Sequence, residues 1–256
     1  MMQNNSQRPK VIILVAASVD GRISLGPNRT MWDDMEDTRG ALPGDAEVWA
    51  QTKRELYQLH QVQASMLGSN SLVGTDDQLA ALPPYTGETV PLYADFLPTE
   101  VLADPNRKGW LVVVDGRGRC RSGYRGEDGW QMLHLVSHAV GPEYLAFLQQ
   151  MRIPYLIAGE QRVDLRQVLT KMHVKLGVTA LVNEAGGNLA GAMLKAGLVD
   201  EVNVIVRPTI IGGKDTPSLF DSPELLADEL PTRLRLVSAQ VLAESDHLWL
   251  RYQMAD

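Results

Sequence analysis

The sequence is poor in cysteine, with Cys120 as the single one among 256 residues. One cysteine excludes an internal disulfide and a cysteine-rich metal cluster. Histidine offers no substitute: His134 and His138 fall in a segment that reads as a strand, where side chains four positions apart are separated by about 13 Å. We therefore expect no metal site, and a reducing cytoplasm is the simplest location.

Long apolar runs and an excess of basic residues are also missing. The run "VIILVAASV" covers only nine residues, whereas a membrane-spanning helix needs roughly 20. The polar start "MMQNNSQRPK" is not followed by a cleavage pattern, so we expect no targeting signal and no membrane partner. A net charge of −7 and a pI near 5.3 disfavour nucleic acid as the main partner.

What the chain does contain is an alternation of apolar strands and amphipathic helices. A helix over residues 46–62 is predicted to be capped by Asp45, and another is predicted to begin at Asp164 and end at Gly177. Further helices are predicted over 143–151 and 188–196. The predicted strands are 11–18, 64–69, 110–118, 131–140, 154–159, 178–183, 200–208, 233–242 and 247–254. Residues 22–45 are interpreted as a loop, and 76–109 as a connection with some structure of its own.

This order of elements predicts a three-layer α/β fold. Strands that alternate with helices form a central mixed, mostly parallel sheet flanked by helices, and the last two strands form a C-terminal antiparallel hairpin. No segment has the composition of a linker. We expect a single domain over residues 1–256, with 1–9 as a flexible tail.

The stretch "VNEAGGNLAG" places a carboxylate and three glycines where a strand gives way to a helix. The start of that helix presents unpaired N–H groups and the positive end of its dipole. Gly186, Gly187 and Gly191 would let a phosphate approach the backbone, although a tight turn with close helix packing explains them equally well. Glu184 either caps the helix or accepts hydrogen bonds from a nitrogen-rich ring, because ligands of α/β proteins bind at strand ends.

Several stretches together resemble the riboflavin-biosynthesis reductases, the RibD C-terminal domain family, whose fold is that of dihydrofolate reductase. The motif that carries most of the resemblance begins at Val182. In chain order the matching stretches are "AASVDGRI", "MW", "GSNSLVGTDD", "VVVDGRGR" and "VNEAGGNLAGAMLKAGLVDEVNVIVRPTIIGG".

The resemblance implies an NADPH-dependent reductase that works as a homodimer and converts the ribosyl group of a ribosylaminopyrimidine 5′-phosphate to ribityl. It assigns substrate binding to Thr30 and Glu184, a catalytic role to Glu184 and Asp76, and a cofactor-binding role to Asp76, with Thr75 as the alternative at that position. The implied cofactor-binding residues are Trp32, Ser71, Gly116, Gly186, Gly187, Asn188, Leu189, Ala190, Gly191 and Ala192.

Two departures from the family concern the substrate phosphate. Where the family has an arginine early in the helix predicted over residues 46–62, this chain has Thr52 or Lys53 followed by Arg54. Lys53 or Arg54 is therefore the expected substitute, with Lys53 taken as the substrate-binding residue. A second family arginine, shortly after the Asp-Asp pair, is absent: Gln78 follows that pair. The segments 33–45 and 78–109 also match poorly.

These departures keep two alternatives open. One is a reductase of the same fold and cofactor that acts on a pterin-like or other carbonyl or imine compound. The other is a non-catalytic, nucleotide-binding dimer. The zinc deaminase pattern is absent, so no deaminase is expected in this chain.

A basic run over residues 107–125 adds one further candidate. It is interpreted as a solvated loop or as arginines that meet the 2′-phosphate of NADPH. Within it, Arg119 and Arg121 flank Cys120 and favour a lowered thiol pKa, although a lone cysteine after a strand is more often structural.

Overall fold

The computed structural model describes residues 7–37, 42, 44–242 and 245–255. The chain divides into two compact units. The middle unit comprises Met1–Pro9 and Gln63–Leu181, and the flanking unit comprises Lys10–Val62 and Val182–Asp256. The prediction of a single domain stays a prediction, and the tail predicted over 1–9 falls largely outside the described residues.

In the middle unit, a sheet of mainly parallel strands carries three helices. The strands are β2 (Ala64–Gly68), β3 (Gly109–Val114), β4 (Gly126–Glu127), β5 (Trp130–Val136) and β6 (Tyr155–Ile157). β3 lies between β2 and β5, and all three are parallel; β6 is parallel to β5, and the short β4 is antiparallel to it. The helices are α3 (Thr99–Leu102), α4 (Pro142–Gln150) and α5 (Leu165–Leu176).

The core of the middle unit forms where α4 packs on the sheet. Val113 of β3 and Val136 of β5 join Tyr144, Leu145 and Leu148 of α4 in one buried cluster. The predicted caps of α5 are confirmed: the Asp164 carboxylate accepts the Gln167 N–H, and Gly177 ends the helix at a φ of 67°. Glycine suits that position because it adopts a left-handed conformation without strain.

In the flanking unit, the sheet is mixed. Its strands are β1 (Lys10–Ser18), the end of β7 (Ala180–Asn183), β8 (Glu201–Arg207), β9 (Leu234–Leu242) and β10 (His247–Met254). β1 and β8 are parallel, whereas β10 is antiparallel to both β8 and β9. The C-terminal antiparallel hairpin is therefore confirmed, although part of its connection, residues 243 and 244, lies outside the described residues.

Three helices accompany that sheet: α1 (Met31–Glu36), α2 (Asp45–His60) and α6 (Gly187–Lys195). Ile12 and Leu14 of β1, Leu56 of α2 and Ile205 of β8 lie in one buried cluster. β1 is buried along almost its whole length, as expected of a parallel strand covered on both faces. None of the helices in the described part of the chain combines the length and apolar character that crossing a membrane requires.

Two local predictions are wrong. Residues 22–45 are not all loop, because Thr30 and Asp33 form a capping box that starts α1. Asp45 is not the cap of α2: Gly44 occupies that position, and the Asp45 carboxylate accepts the Leu42 N–H instead. The structure expected within 76–109 is present as a 3₁₀ turn at Val90–Tyr93 and as α3.

Candidate functional site

Glu184 lies directly after β7 and three residues before Gly187, the first residue of α6. The preceding Asn183 is buried, and its side-chain oxygen accepts the Ala185 N–H at 3.2 Å, which fixes the turn out of the strand. The Glu184 carboxylate is held by two side chains of α2. The Lys53 ammonium lies 2.8 Å from Oε1 and 2.9 Å from Oε2, and the Tyr57 hydroxyl donates to Oε1 at 3.2 Å.

Helix α2 presents Lys53 and Tyr57 on one face because residues four apart on a helix are neighbours. Thr52 is buried on the core side, and Arg54 is exposed. Of the two cations considered for the substrate phosphate, Lys53 is therefore the one beside Glu184. Tyr57 did not emerge from the sequence as a site residue; its four-residue spacing from Lys53 is the signal that indicates it.

The glycines at the start of α6 face the protein's own chain. A Cβ at Gly186 would lie 2.7 Å from Ile23 Cδ1, and one at Gly191 would lie 3.0 Å from the Asp221 carbonyl oxygen. A Cβ at Gly187 would overlap the Asp221 carboxylate. These contacts support the close-packing interpretation of the three glycines. The donors that remain for an anion at the start of α6 are therefore the backbone N–H groups of its first turn. The Asp221 carboxylate already lies beside Gly187 in that turn.

The remaining residues implied for that segment belong to α6 itself. Asn188 and Leu189 are in its first turn, and the Ala190 N–H donates to the Gly186 carbonyl at 3.2 Å. Ala190 and Gly191 are buried, whereas Ala192 is exposed. The first turn thus presents residues 187–189 at the N-terminal end of the helix.

Helix α1 carries the two early candidates. The Thr30 side chain caps the helix, accepting the Asp33 N–H at 3.2 Å, and it is 8% exposed. Trp32 follows in the first turn and is 50% exposed.

Three further candidates lie in the middle unit. Ser71 ends a 3₁₀ turn after β2 and is half-buried. Asp76 is exposed, whereas its neighbour Asp77 accepts the Gly74 N–H at 2.6 Å. Gly116 follows β3, and its carbonyl accepts the Ser137 hydroxyl at 3.0 Å. Ser71 and Gly116 thus lie just beyond the carboxyl ends of two adjacent parallel strands.

A buried polar network holds the loop after β3. The Asp115 carboxylate accepts the N–H groups of Arg119 and Cys120 and the Tyr144 hydroxyl, at 3.0, 2.8 and 2.8 Å. His134 Nδ1 lies 3.0 Å from the same hydroxyl, and burial lowers the pKa of His134 to about 4. The network fixes the backbone that carries Gly116.

Cys120 corrects a prediction. Burial, followed by the Asp115 charge, raises the pKa of its thiol, and the opposing effect of Arg119 is smaller. The expected lowering by neighbouring arginines is therefore wrong, and the thiol is structural. Among the described residues, no group of three or more His, Cys, Asp and Glu side chains is arranged to hold a metal ion.

Comparison with known proteins places this geometry in context. The sequence profile of the RibD C-terminal domain matches residues 9–248. The 2,5-diamino-6-ribosylamino-4(3H)-pyrimidinone 5′-phosphate reductase of Methanothermobacter thermautotrophicus is 30% identical over 231 residues, which cover 90% of each chain. The protein of the same name from Archaeoglobus fulgidus is 28% identical over 220 residues, 86% of this chain and 89% of that protein.

A solved structure shows the same fold. Acinetobacter baumannii RibD superposes with a TM-score of 0.58 at 18% identity over 98% of this chain, which spans 59% of that longer protein. The predicted fold class, a mixed α/β sheet flanked by helices, is thereby confirmed. Because the profile matches nearly the whole chain, this protein is a reductase that belongs to the RibD C-terminal domain family.

Proposed function

We propose that this chain is an NADPH-dependent reductase that converts the ribosyl group of a ribosylaminopyrimidine 5′-phosphate to the ribityl group. The observation that carries the proposal is the Glu184 carboxylate, placed between a strand end and a helix start and held by Lys53 and Tyr57. The names of the similar archaeal proteins support this substrate. They do not favour a pterin-like substrate or a non-catalytic role.

The cofactor part of the proposal is NADPH, for which each unit by itself offers candidate residues. In the flanking unit, residues 186–192 offer the first-turn N–H groups of α6 to the phosphates, and the exposed Trp32 ring lies against the cofactor. In the middle unit, Ser71 and Gly116 contact it from two strand ends. When bound, a nicotinamide cofactor supplies the hydride for the reduction.

The fit of these residues to a dinucleotide rests on three features. Helix N-termini bind phosphates through N–H groups and the helix dipole. The Trp32 side chain is half exposed on a short helix. Stacking on an aromatic ring of the cofactor would remove apolar surface of both rings from water. The strand ends that carry Ser71 and Gly116 are where α/β folds place their ligands.

The substrate part of the proposal assigns Glu184 to the pyrimidine ring. A carboxylate accepts hydrogen bonds from ring amino and N–H groups, and it selects nitrogen-rich donors over carbonyl oxygens. Lys53 neutralises Glu184 and offers an ammonium to the substrate phosphate, while Thr30 contacts the substrate from α1. Asp76 remains a proposed catalytic or cofactor-binding residue, and Asp76, Glu184 or water supplies the proton that accompanies the hydride.

A homodimer in the cytoplasm completes the proposal. The resemblance to the family supports the dimer. Edge strand β9 supports it as well, because Leu236 and Val241 of β9 are 53% and 69% exposed and a second copy would cover them. Sedimentation of the purified protein tests the dimer.

The function is tested by following NADPH oxidation with 2,5-diamino-6-ribosylamino-4(3H)-pyrimidinone 5′-phosphate and with its dephosphorylated form. We expect turnover of the phosphorylated compound and a much higher KM for the dephosphorylated one, because the latter has no phosphate for the Lys53 ammonium to contact. Equal kinetics for the two compounds would remove the phosphate from the proposal. Absence of turnover with both, in protein that binds NADPH, would overturn the substrate assignment.

A further inference from the structure

The start of α6 lacks the groups that usually compensate a helix N-terminus. Its N-cap residue, Gly186, has no side chain to accept a hydrogen bond, and its first turn contains no acidic residue. Within the part of the chain that the structure describes, the N–H groups of residues 187–189 have no acceptor. This helix start therefore favours a negative charge, because its free N–H groups and the end of its dipole are both positive.

One acidic side chain from a later segment of the flanking unit lies against this turn. A Cβ on Gly187 would overlap Asp221 Oδ2, and a Cβ on Gly191 would lie 3.0 Å from the Asp221 carbonyl oxygen. The other carboxylate oxygen, Oδ1, accepts the Ser218 hydroxyl at 2.6 Å and the Ser218 N–H at 3.2 Å. Asp221 thus supplies α6 with the negative charge that its own first turn lacks.

The backbone that leads to Asp221 is fixed to the loop after β1. The Ile23 N–H donates to the Pro217 carbonyl at 3.1 Å, and the Leu219 N–H donates to the Gly21 carbonyl at 3.2 Å. The Asp221 side chain is only half-buried, and no cationic side chain among the described residues pairs with it. The backbone is therefore held at this position, whereas the carboxylate can turn toward solvent.

The cofactor proposed above needs the same N–H groups for its phosphates. Two negative charges at one helix start repel each other, and the repulsion is stronger where the groups are partly removed from water. A dinucleotide that binds there therefore replaces the interaction between Asp221 and α6.

We propose that Asp221 competes with the cofactor phosphates for the start of α6 and thereby lowers the affinity of the protein for the dinucleotide. The inference rests on the proposed function, because it assumes that phosphates bind to the first turn of α6. In the unliganded protein the carboxylate compensates the helix dipole, and when the phosphates bind, the side chain turns toward solvent. Asp221 thus determines how tightly the cofactor is bound.

A purely structural role for Asp221 predicts a different result for one substitution. Asn at this position keeps the size of the side chain and an oxygen for the Ser218 donors, but it removes the charge. If Asp221 only stabilises α6, Asp221→Asn lowers the melting temperature and leaves the affinity for NADPH unchanged. If Asp221 competes with phosphates, the melting temperature of the unliganded protein falls while the affinity for NADPH rises.

The experiment measures the melting temperature and the dissociation constant of NADPH, by fluorescence titration, for the full chain and two variants. Asp221→Asn is expected to tighten NADPH binding about fivefold to tenfold, the effect of removing one like charge a few ångströms from the phosphates. Its melting temperature without ligand should fall by about 2 °C. Inorganic pyrophosphate, which has no nucleoside, should also compete with NADPH more strongly in this variant than in wild type.

The matched control is Asp215→Asn, which removes the same charge from an exposed position in the connection between β8 and β9. It should change neither the melting temperature nor the affinity. If it tightens NADPH binding as much as Asp221→Asn does, the gain is an effect of net charge and the inference is wrong.

The remaining outcomes separate this inference from the function on which it rests. If wild type oxidises NADPH and Asp221→Asn binds it no more tightly than wild type does, the inference is wrong and the reductase proposal stands. If NADPH binds to Asp221→Asn but not detectably to wild type, competition by Asp221 is supported. If NADPH binds to neither protein, the cofactor proposal fails and this inference fails with it.

Discussion

Two glutamates of the flanking unit, Glu201 and Glu184, are each paired with a lysine, yet their surroundings differ. Glu201 at the start of β8 has a 1% exposed side chain and contacts Lys10 at 3.0 Å, Arg251 at 2.9 Å and Asn203 at 3.2 Å. Glu184 has a 9% exposed side chain and contacts Lys53 and Tyr57, both on one helix.

This difference distinguishes a structural carboxylate from a carboxylate that is a candidate for binding a ligand. Glu201 is surrounded by donors from β1, β8 and β10, so its charge is compensated by groups that also form the sheet. Burial alone raises the pKa of Glu201, but the hydrogen bonds from Arg251, Lys10 and Asn203 outweigh burial and lower the pKa to about 2. Glu184 lies beyond its strand and is paired with Lys53, whose side chain is 34% exposed. Lys53 can therefore change partners when a ligand binds.

The largest effect expected from this comparison is on stability. Glu201→Gln leaves Lys10 and Arg251 facing a neutral amide, and we expect the free energy of unfolding to fall by about 3 to 4 kcal/mol. Urea denaturation measures the change, with Glu184→Gln as the matched substitution at the other glutamate. A loss of equal size at both positions would contradict the distinction between them.

The ion pairs of Glu201 should also affect how the free energy of unfolding depends on pH. Because the pKa of Glu201 in the folded protein is about 2 and lies below its ordinary value of 4.5, the stabilisation is complete above pH 4.5 and is lost as the pH falls toward 2. The loss amounts to about 3 kcal/mol, by linkage between protonation and folding. Between about pH 6 and about pH 2, the free energies of unfolding of wild type and Glu201→Gln should become equal at the acid end. Parallel curves would exclude Glu201 as the titrating group.

For Glu184 the expected effect is on turnover. Glu184→Gln keeps the shape of the side chain but loses the charge that accepts ring N–H donors, and we expect kcat/KM to fall about 100-fold, or about 2.7 kcal/mol. NADPH affinity and the melting temperature should change little, because the half-exposed Lys53 can be solvated. Collapse of NADPH binding would instead make Glu184 a structural residue of the α6 turn.

The sequence predicts the helices and strands better than it predicts the contacts between side chains. The apolar strands, the caps of α5 and the terminal hairpin follow from local patterns, and the family motif identifies Glu184. Helix α1 was missed because glycines and aspartates surround Thr30 and Asp33, which hides their capping box. The Arg117 side chain donates to Asn70 Oδ1, and the sequence did not predict this pair, because a hydrogen bond between two loops depends on strand order, which no local pattern encodes.

The same limit applies to the glycines of α6. Their spacing left a phosphate cradle and close helix packing as equal alternatives, because the neighbours of a bare Cα come from the whole fold. Residues 218–222, more than twenty positions further along the chain, occupy the space that side chains at Gly187 and Gly191 would need. The local pattern could not show which part of the chain these glycines face.

The smallest effect concerns Tyr57, the second contact of Glu184. Tyr57→Phe removes one hydroxyl donor at 3.2 Å and keeps the ring under the Lys53 ammonium, whose nitrogen lies 5.4 Å from the ring centroid. We expect KM for the pyrimidine substrate to rise about fivefold, close to 1 kcal/mol for a long hydrogen bond, with kcat nearly unchanged. In a double-mutant cycle with Glu184→Gln the Tyr57 effect should become smaller, because the amide oxygen of glutamine accepts a weaker hydrogen bond than the carboxylate does. Additive effects would show that Tyr57 contacts the substrate by itself rather than positioning Glu184.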